Sequence, residues 1–186
     1  FDRFPHGRTR NLEHLAMRLT LVSGEFANRE QLGLALAGQE LVYHLITSTN
    51  PCSSWNDQLI EAEQNIIPGI GLMRAAADAG VKKLVFVSSG GTVYGRQGGL
   101  IAETAVTNPF SPHGIGKLTI ELFLRHFAER GMFAADVYRV ANAYGPRQQV
   151  SGGQGVMAIW FNSILEGRTI SVYGDDSTVR DYVYVK

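Results

Sequence analysis

The chain has 186 residues, 45% of them hydrophobic, enough to bury one sizeable core. Lys+Arg and Asp+Glu number 17 each, so the formal net charge is zero and bulk electrostatics point to neither nucleic acid nor a membrane surface. The single cysteine, Cys52, excludes an internal disulfide and a cysteine zinc cage and suits a reducing, cytoplasmic setting, and no apolar run approaches the roughly 18 residues of a membrane span.

Short apolar runs alternate with longer amphipathic ones. "RLTLVSGEF" (18–26) reads as a strand leading into a loop. "NREQLGLALAG" (28–38) has leucines at 32 and 36 and a closing glycine, the pattern of a capped helix. "ELVYHLI" (40–46) is the next strand. Residues 57–80 form a helix that Pro68 bends. "KKLVFVSS" (82–89) is nearly continuous apolar strand, as expected of a strand covered on both faces. The helix over 112–130 has Leu118, Leu122 and Phe127 among its apolar positions. "FAADVYRVANAYG" (133–145) is a strand with its exit loop, 155–167 a helix and "TISVYG" (169–174) a strand. Cys52 and both tryptophans are assigned to packing. The alternation predicts an α/β fold with a doubly wound parallel sheet, whose ligands bind beyond the carboxyl ends of the strands.

The unusual residues gather at those ends. "SSGGTVYG" (88–95) follows a buried strand with small residues that permit close backbone approach. "SPHGIGK" (111–117) starts a helix, with Pro112 in the first turn and His113 and Lys117 on one face at i and i+4. Taken alone, such a pair is an ordinary solvated helix face. "RVANAYGPRQ" (139–148) and "YGDDSTVRDYVYV" (173–185) complete a series of four motifs in order.

Together these motifs resemble the extended short-chain dehydrogenase/reductases, of the NAD-dependent nucleotide-sugar epimerase/dehydratase type. The resemblance covers essentially the whole chain and implies a Rossmann-type fold. Residues 1–150 would be the NAD-binding core, and 151–186 the start of the substrate-binding region. It places the family's Gly-rich phosphate loop just before Phe1 and further substrate-binding chain after Lys186. It implies NAD as cofactor, held by Asp2, Glu25, Leu45, Asn65 and Lys117. It implies a nucleoside-diphosphate sugar as substrate, contacted by Asn142, Tyr173 and Arg180, and a homodimer with no nucleic-acid, membrane or metal partner.

In that family a tyrosine takes a proton from a sugar hydroxyl while hydride leaves the same carbon for NAD. Here His113 stands in the tyrosine slot. Gly90 occupies the usual position of the catalytic hydroxyl, leaving Thr92 or Ser89 as substitutes. Gly116 replaces the serine before Lys117, which predicts a looser helix start. Imidazole is chemically competent: a nearby cation disfavours its charged form and leaves a neutral acceptor. Gly91 and Thr92 lack the acid pair of the dehydratases, and Thr92 lacks the glutamate of the decarboxylases. The resemblance therefore implies a UDP-hexose 4-epimerase acting through a transient keto-sugar. The alternative is a homologue that keeps its binding sites but is catalytically impaired, and less favoured is a dehydratase or decarboxylase.

Overall fold

The computed structural model describes residues 1–3, 8–148, 150, 155–172 and 179–186. A 3-10 segment over Arg8–Arg18 precedes the first regular helix. In α1 (Arg29–Leu36), the Asn28 side chain accepts the Gln31 N–H and caps the first turn, while Leu32 and Leu36 face inward. Strand β1 (Leu41–His44) follows.

The long helix expected over 57–80 is divided. Asp57 caps a short α2 (Gln58–Glu61) by accepting the Leu59 N–H. A π-helical turn over Ala62–Ile66 then gives way to α3 (Ile67–Asp78). Pro68 has no N–H to give the carbonyl four residues back, and the Ile67 N–H instead reaches the Ala62 carbonyl, five residues back. The expected bend is thus an extra residue in the turn before the proline.

Strand β2 (Lys83–Ser89) lies at the centre of a three-stranded parallel sheet of order β1-β2-β3, with β3 spanning Ala134–Val140. Leu84, Val85 and Phe86 are all buried. Helices α1, α3 and α5 (Pro112–Glu129) pack the face that carries Leu84 and Phe86, and Met73, Ala76, Leu124 and Phe127 fill the space between. The other face shows Tyr43 and Tyr138 half-exposed.

Beyond Ser89 the chain turns into α4 (Gly90–Val93), and β3 loses its partner at Val140. The run expected as a strand with its exit loop over 133–145 thus ends its strand at Val140, and the exit holds a second short strand after Ala141. This strand, β4 (Asn142–Tyr144), pairs in parallel with β5 (Tyr182–Tyr184) in a separate two-stranded sheet. Helix α6 (Val156–Leu165) lies between them in the chain.

Several expectations are corrected. Within 18–26 only Ser23 makes a bridge, to Asp2, because no longer stretch of chain lies alongside it among the described residues. Residues 169–172 form no strand, and β4 pairs instead with β5; positions 173 and 174 lie outside the described residues. On α5 the buried stripe is Ile120, Leu124 and Phe127, and Leu122 faces solvent. Cys52 is exposed and Trp55 half-exposed rather than packed inside, with Trp55 tilted over Phe110 at 6.2 Å.

The stripe on α5 is directly testable. Leu124 is 0% exposed and Leu122 47% exposed. Leu124→Ala should cost about 2–5 kcal/mol, and Leu122→Ala about 0.5 kcal/mol or less. Urea unfolding of the two variants checks this, and equal losses would mean that α5 packs through a different face.

Candidate active site

The cleft lies at the carboxyl ends of β1, β2 and β3, where the parallel sheet opens. It encloses about 280 Å³ between Leu45, Thr47 and Thr49 from the β1 exit, Val87, Ser88 and Ser89 from β2, His113 and Lys117 from α5, and Val140 and Ala141 from β3. A larger hollow of about 540 Å³ lies elsewhere, between the 3-10 segment and the turn after β4; residues of the 139–148 motif line it, but none of the candidate site residues does.

Helix α5 begins where Ser111 accepts the Gly114 N–H at 3.1 Å, with Pro112 in its first turn. The following turn puts His113 and Lys117 against the sheet ends. Lys117 Nζ donates to the Val87 carbonyl at 2.9 Å and rests 4.8 Å from the Phe86 ring centre. Burial lowers its pKa, while Glu61 and Glu121 pull it back up. Among the described residues no carboxylate pairs with it directly, so two of its N–H bonds remain for a ligand.

His113 is buried, with Nδ1 3.1 Å from Thr49 Oγ1 and 3.9 Å from Glu61 Oε2. Burial, then the Lys117 charge, lowers its pKa to about 4, so the ring is neutral near pH 7. Its Nε2 makes no hydrogen bond among the described residues and is the nitrogen left for proton exchange. Thr49 Oγ1 also meets the Glu61 carboxylate and accepts from Asn65 Nδ2 at 3.1 Å. Asn65 Oδ1 in turn accepts the Ser48 N–H at 2.8 Å. The carboxyl of Glu61 is raised above its ordinary pKa by burial, against the pull of Thr49, Asn65 and Lys117.

The sequence-derived residues divide. Lys117, His113, Ser89 and Leu45 all line the cleft. The Ser89 side chain makes no hydrogen bond among the described residues, whereas Ser88 Oγ is committed to Glu121. Thr92 is not in the lining, and its Oγ1 is enclosed without a partner. Asn65 lies behind the cleft and braces the β1 exit. Asp2 and Glu25 meet at a separate edge through Arg3: Asp2 Oδ1 accepts the Arg3 N–H and Glu25 pairs with the guanidinium at 2.9 Å. Asn142 Nδ2 donates to the Asp181 carbonyl at 2.8 Å, next to the exposed Arg180. Tyr173 lies outside the described residues.

Two glycines have steric roles at the site. A Cβ on Gly90 would stand 2.8 Å from the Arg139 carbonyl oxygen, so this position is pressed against the β3 backbone. A Cβ on Gly116 would overlap the Glu61 carboxylate. The helix start expected to loosen at Gly116 is instead continuous through Glu129, and the missing side chain is the space that Glu61 fills. Sequence reasoning passed over Glu61 and Thr49. The available signal was the i, i+4 spacing of Glu61 and Asn65 on one helical run, together with a glycine where the resemblance calls for serine.

Comparison with known proteins gives this geometry a context. The model of the NAD dependent epimerase/dehydratase family matches residues 1–186. A UDP-glucose 4-epimerase of Mycolicibacterium smegmatis is 35% identical over 190 residues, covering 99% of this chain and 60% of that protein. The crystal structure of Thermotoga maritima UDP-glucose 4-epimerase with UDP-glucose superposes with a TM-score of 0.90 at 33% identity, over 98% of this chain and 60% of that one. Thermus thermophilus UDP-glucose 4-epimerase in complex with NAD gives 0.79 at 31% identity, over 87% and 55%. Nucleotide-sugar dehydratases and reductases are among the further relatives. The chain spans about 60% of the length of the first of these relatives.

Two predictions follow from the packing. Gly90→Ser should destabilise the fold by about 1–3 kcal/mol through overpacking against backbone, whereas Gly91→Ser, with nothing within 4 Å of its added Cβ, should be near neutral. Thermal unfolding compares the two, and a neutral Gly90→Ser would show that β3 yields easily. The second concerns acid. Burial holds His44 at about 3 and His113 at about 4, whereas the unfolded groups titrate near 6.5. The unfolded chain therefore binds protons first as pH falls. The stability due to these neutral rings is whole above about 6.5 and is lost on the way down to about 4 for His113 and about 3 for His44. His44 sits between Phe26 and Phe86, with neither ring nitrogen bonded among the described residues. His44→Phe should flatten the dependence of unfolding free energy on pH across this window; an unchanged slope in urea titrations would mean that folded His44 protonates freely.

Proposed function

The chain belongs to the NAD dependent epimerase/dehydratase family, and on that premise we propose that the protein interconverts epimers of a nucleoside-diphosphate hexose, in a reaction of the UDP-hexose 4-epimerase type. The observation that carries this reading is one cleft holding a neutral imidazole together with an ammonium that has no direct carboxylate partner, and a hydroxyl that has no hydrogen bond, among the described residues. Those are a proton acceptor, a cation for ribose hydroxyls and a hydrogen-bond donor for a sugar oxygen.

The residues fit the ribose and nicotinamide end of NAD. Lys117 has two N–H bonds to offer, and Leu45, Val87 and Val140 provide an apolar wall for a flat ring. When bound, NAD supplies the hydride acceptor and returns the hydride. His113 takes the proton of the sugar hydroxyl at Nε2. Lys117 holds the ribose, and burial together with the Lys117 charge keeps the imidazole neutral until that proton arrives. Ser89 orients the reacting oxygen. The Asp2–Glu25 edge is assigned to the adenosine end, and Asn142 and Arg180 to the diphosphate side of the sugar nucleotide, where a guanidinium gives charge-assisted bonds.

A second reading, a binder with impaired turnover, is favoured by Gly90, which has no room for the hydroxyl that the resemblance places there. The test uses the protein expressed from the reading frame that contains these 186 residues. Conversion of UDP-glucose to UDP-galactose is followed by proton NMR, and UDP binding by calorimetry. Turnover should fall on the order of 100-fold or more in His113→Ala and in Lys117→Met, with UDP still bound. A wild type that binds UDP-sugars without converting them establishes the second reading.

A further inference from the structure

We propose that Glu61, acting through the Thr49 hydroxyl, selects which ring nitrogen of His113 carries the proton and thereby whether the cleft is offered a base or a donor. This rests on the reading of His113 as proton acceptor, and Glu61 is a positioning residue for it.

The argument is a count of valences on one oxygen. A threonine hydroxyl has one donor and two acceptor sites. Thr49 Oγ1 has three neighbours: Glu61 Oε2, His113 Nδ1 at 3.1 Å and Asn65 Nδ2 at 3.1 Å. Asn65 Nδ2 only donates, so it always takes one acceptor site. Its orientation is fixed, because Asn65 Oδ1 is occupied by the Ser48 N–H. With the Glu61 proton, when present, on the oxygen that faces Thr49, two arrangements satisfy all three contacts. With Glu61 ionised, Thr49 must donate to the carboxylate and accept from His113 Nδ1–H. Nε2 is then an unprotonated acceptor. With Glu61 protonated, the carboxyl donates to Thr49, both acceptor sites are full, and the hydroxyl must donate to Nδ1. Nε2 then carries the proton and cannot act as a base.

The surroundings make both states reachable. The Glu61 side chain is 5% exposed and that of His113 8%, so neither can exchange its partners for bulk water cheaply. Gly116 supplies the space that Glu61 occupies against α5. The charged and titratable groups facing the cluster are Lys117, which favours the carboxylate, and beyond it Glu121 and the neutral His44. Burial raises Glu61 and lowers His113, the two directions that favour protonation of the carboxyl ahead of the ring as pH falls. In that order the tautomer inverts ahead of imidazolium formation. In the ionised state the same geometry also serves the reaction. When Nε2 gains a proton, the new imidazolium faces a carboxylate 3.9 Å from Nδ1.

The test reads the tautomer itself, with no turnover required. The protein from the reading frame described above is labelled with ring 15N-histidine. The His113 signals are followed from pH 8 downward in wild type and in Glu61→Leu. In wild type Nδ1 should be protonated and Nε2 free at pH 8, with the two exchanging roles as pH falls through the Glu61 titration. In Glu61→Leu, Thr49 has lost its acceptor and donates to Nδ1, so Nε2 should be protonated already at pH 8. A merely structural glutamate would leave the tautomer as it was. Wild-type His113 protonated at Nε2 at pH 8, or the same tautomer in both proteins, overturns the proposal. If Glu61→Leu does not fold, the wild-type titration decides alone: inversion supports the proposal, and a single tautomer down to imidazolium formation overturns it. Inversion without epimerase turnover would refute the function proposed for the cleft and leave the coupling of Glu61 to His113 standing.

Discussion

A carboxylate buried against the first turns of a helix organises the end of this sheet. Glu61 is drawn out of water and stands beside an imidazole and near an ammonium. Such a group costs several kcal/mol to bury unless its lone pairs are met. The surrounding structure is arranged to meet them. The π-helical turn over Ala62–Ile66 separates Glu61 from the helix that follows, Thr49 comes from the β1 exit to bond it, and Gly116 leaves out the side chain that would displace it. Asn65, one turn on, ties the β1 exit to the same helical run.

A second buried carboxylate balances the first across Lys117. Glu121, one turn beyond the lysine on α5, takes the Ser88 hydroxyl and three hydrogen bonds from the Arg139 guanidinium, the shortest 2.7 Å. Arg139 also donates to Tyr94 Oη at 2.9 Å and lies over its ring. This network joins β2, β3, α4 and α5 at the point where the sheet opens. Its hydrogen bonds to Glu121, and then to Tyr94, keep the guanidinium fully charged against the opposing effect of burial. The lysine thus stands between two carboxylates that stabilise its charge from behind while its remaining N–H bonds face the cleft. The arrangement stiffens the walls of the site and commits Ser88, while the Ser89 hydroxyl and the remaining Lys117 N–H bonds stay available to the cleft.

The departures from the family pattern are linked by sterics and chemistry. Histidine is shorter than tyrosine, and in place of a phenol on its own it has a ring whose second nitrogen needs a partner. Thr49 and Glu61 provide it, and Glu61 fits only where residue 116 is glycine. Gly90 is a different case: it is small because the β3 backbone passes close by, which leaves Ser89 as the cleft hydroxyl.

Much of this was legible in the chain. Alternating apolar runs specify the helices and the parallel strands, because burial on a sheet and burial on a helix impose different periods. Caps at Asn28, Asp57 and Ser111 mark helix starts through local chemistry alone. The spacing of His113 and Lys117 puts both on one face, and four ordered motifs point to the family. What lay beyond the sequence depends on partners far apart along it. A strand needs an edge to pair with, so the fate of 18–26, 133–145 and 169–172 was decided by which neighbours were present. Whether a helical leucine is core, as Leu124 is and Leu122 is not, depends on where α5 meets the sheet. The partner of His113 comes from 64 residues away, and nothing in the sequence around Thr49 marks it. Local sequence determined the elements and the pair of groups that face the cleft; only the tertiary structure decided what stands behind them, because the free energy of a buried polar group depends on its contacts in space rather than its neighbours in the chain.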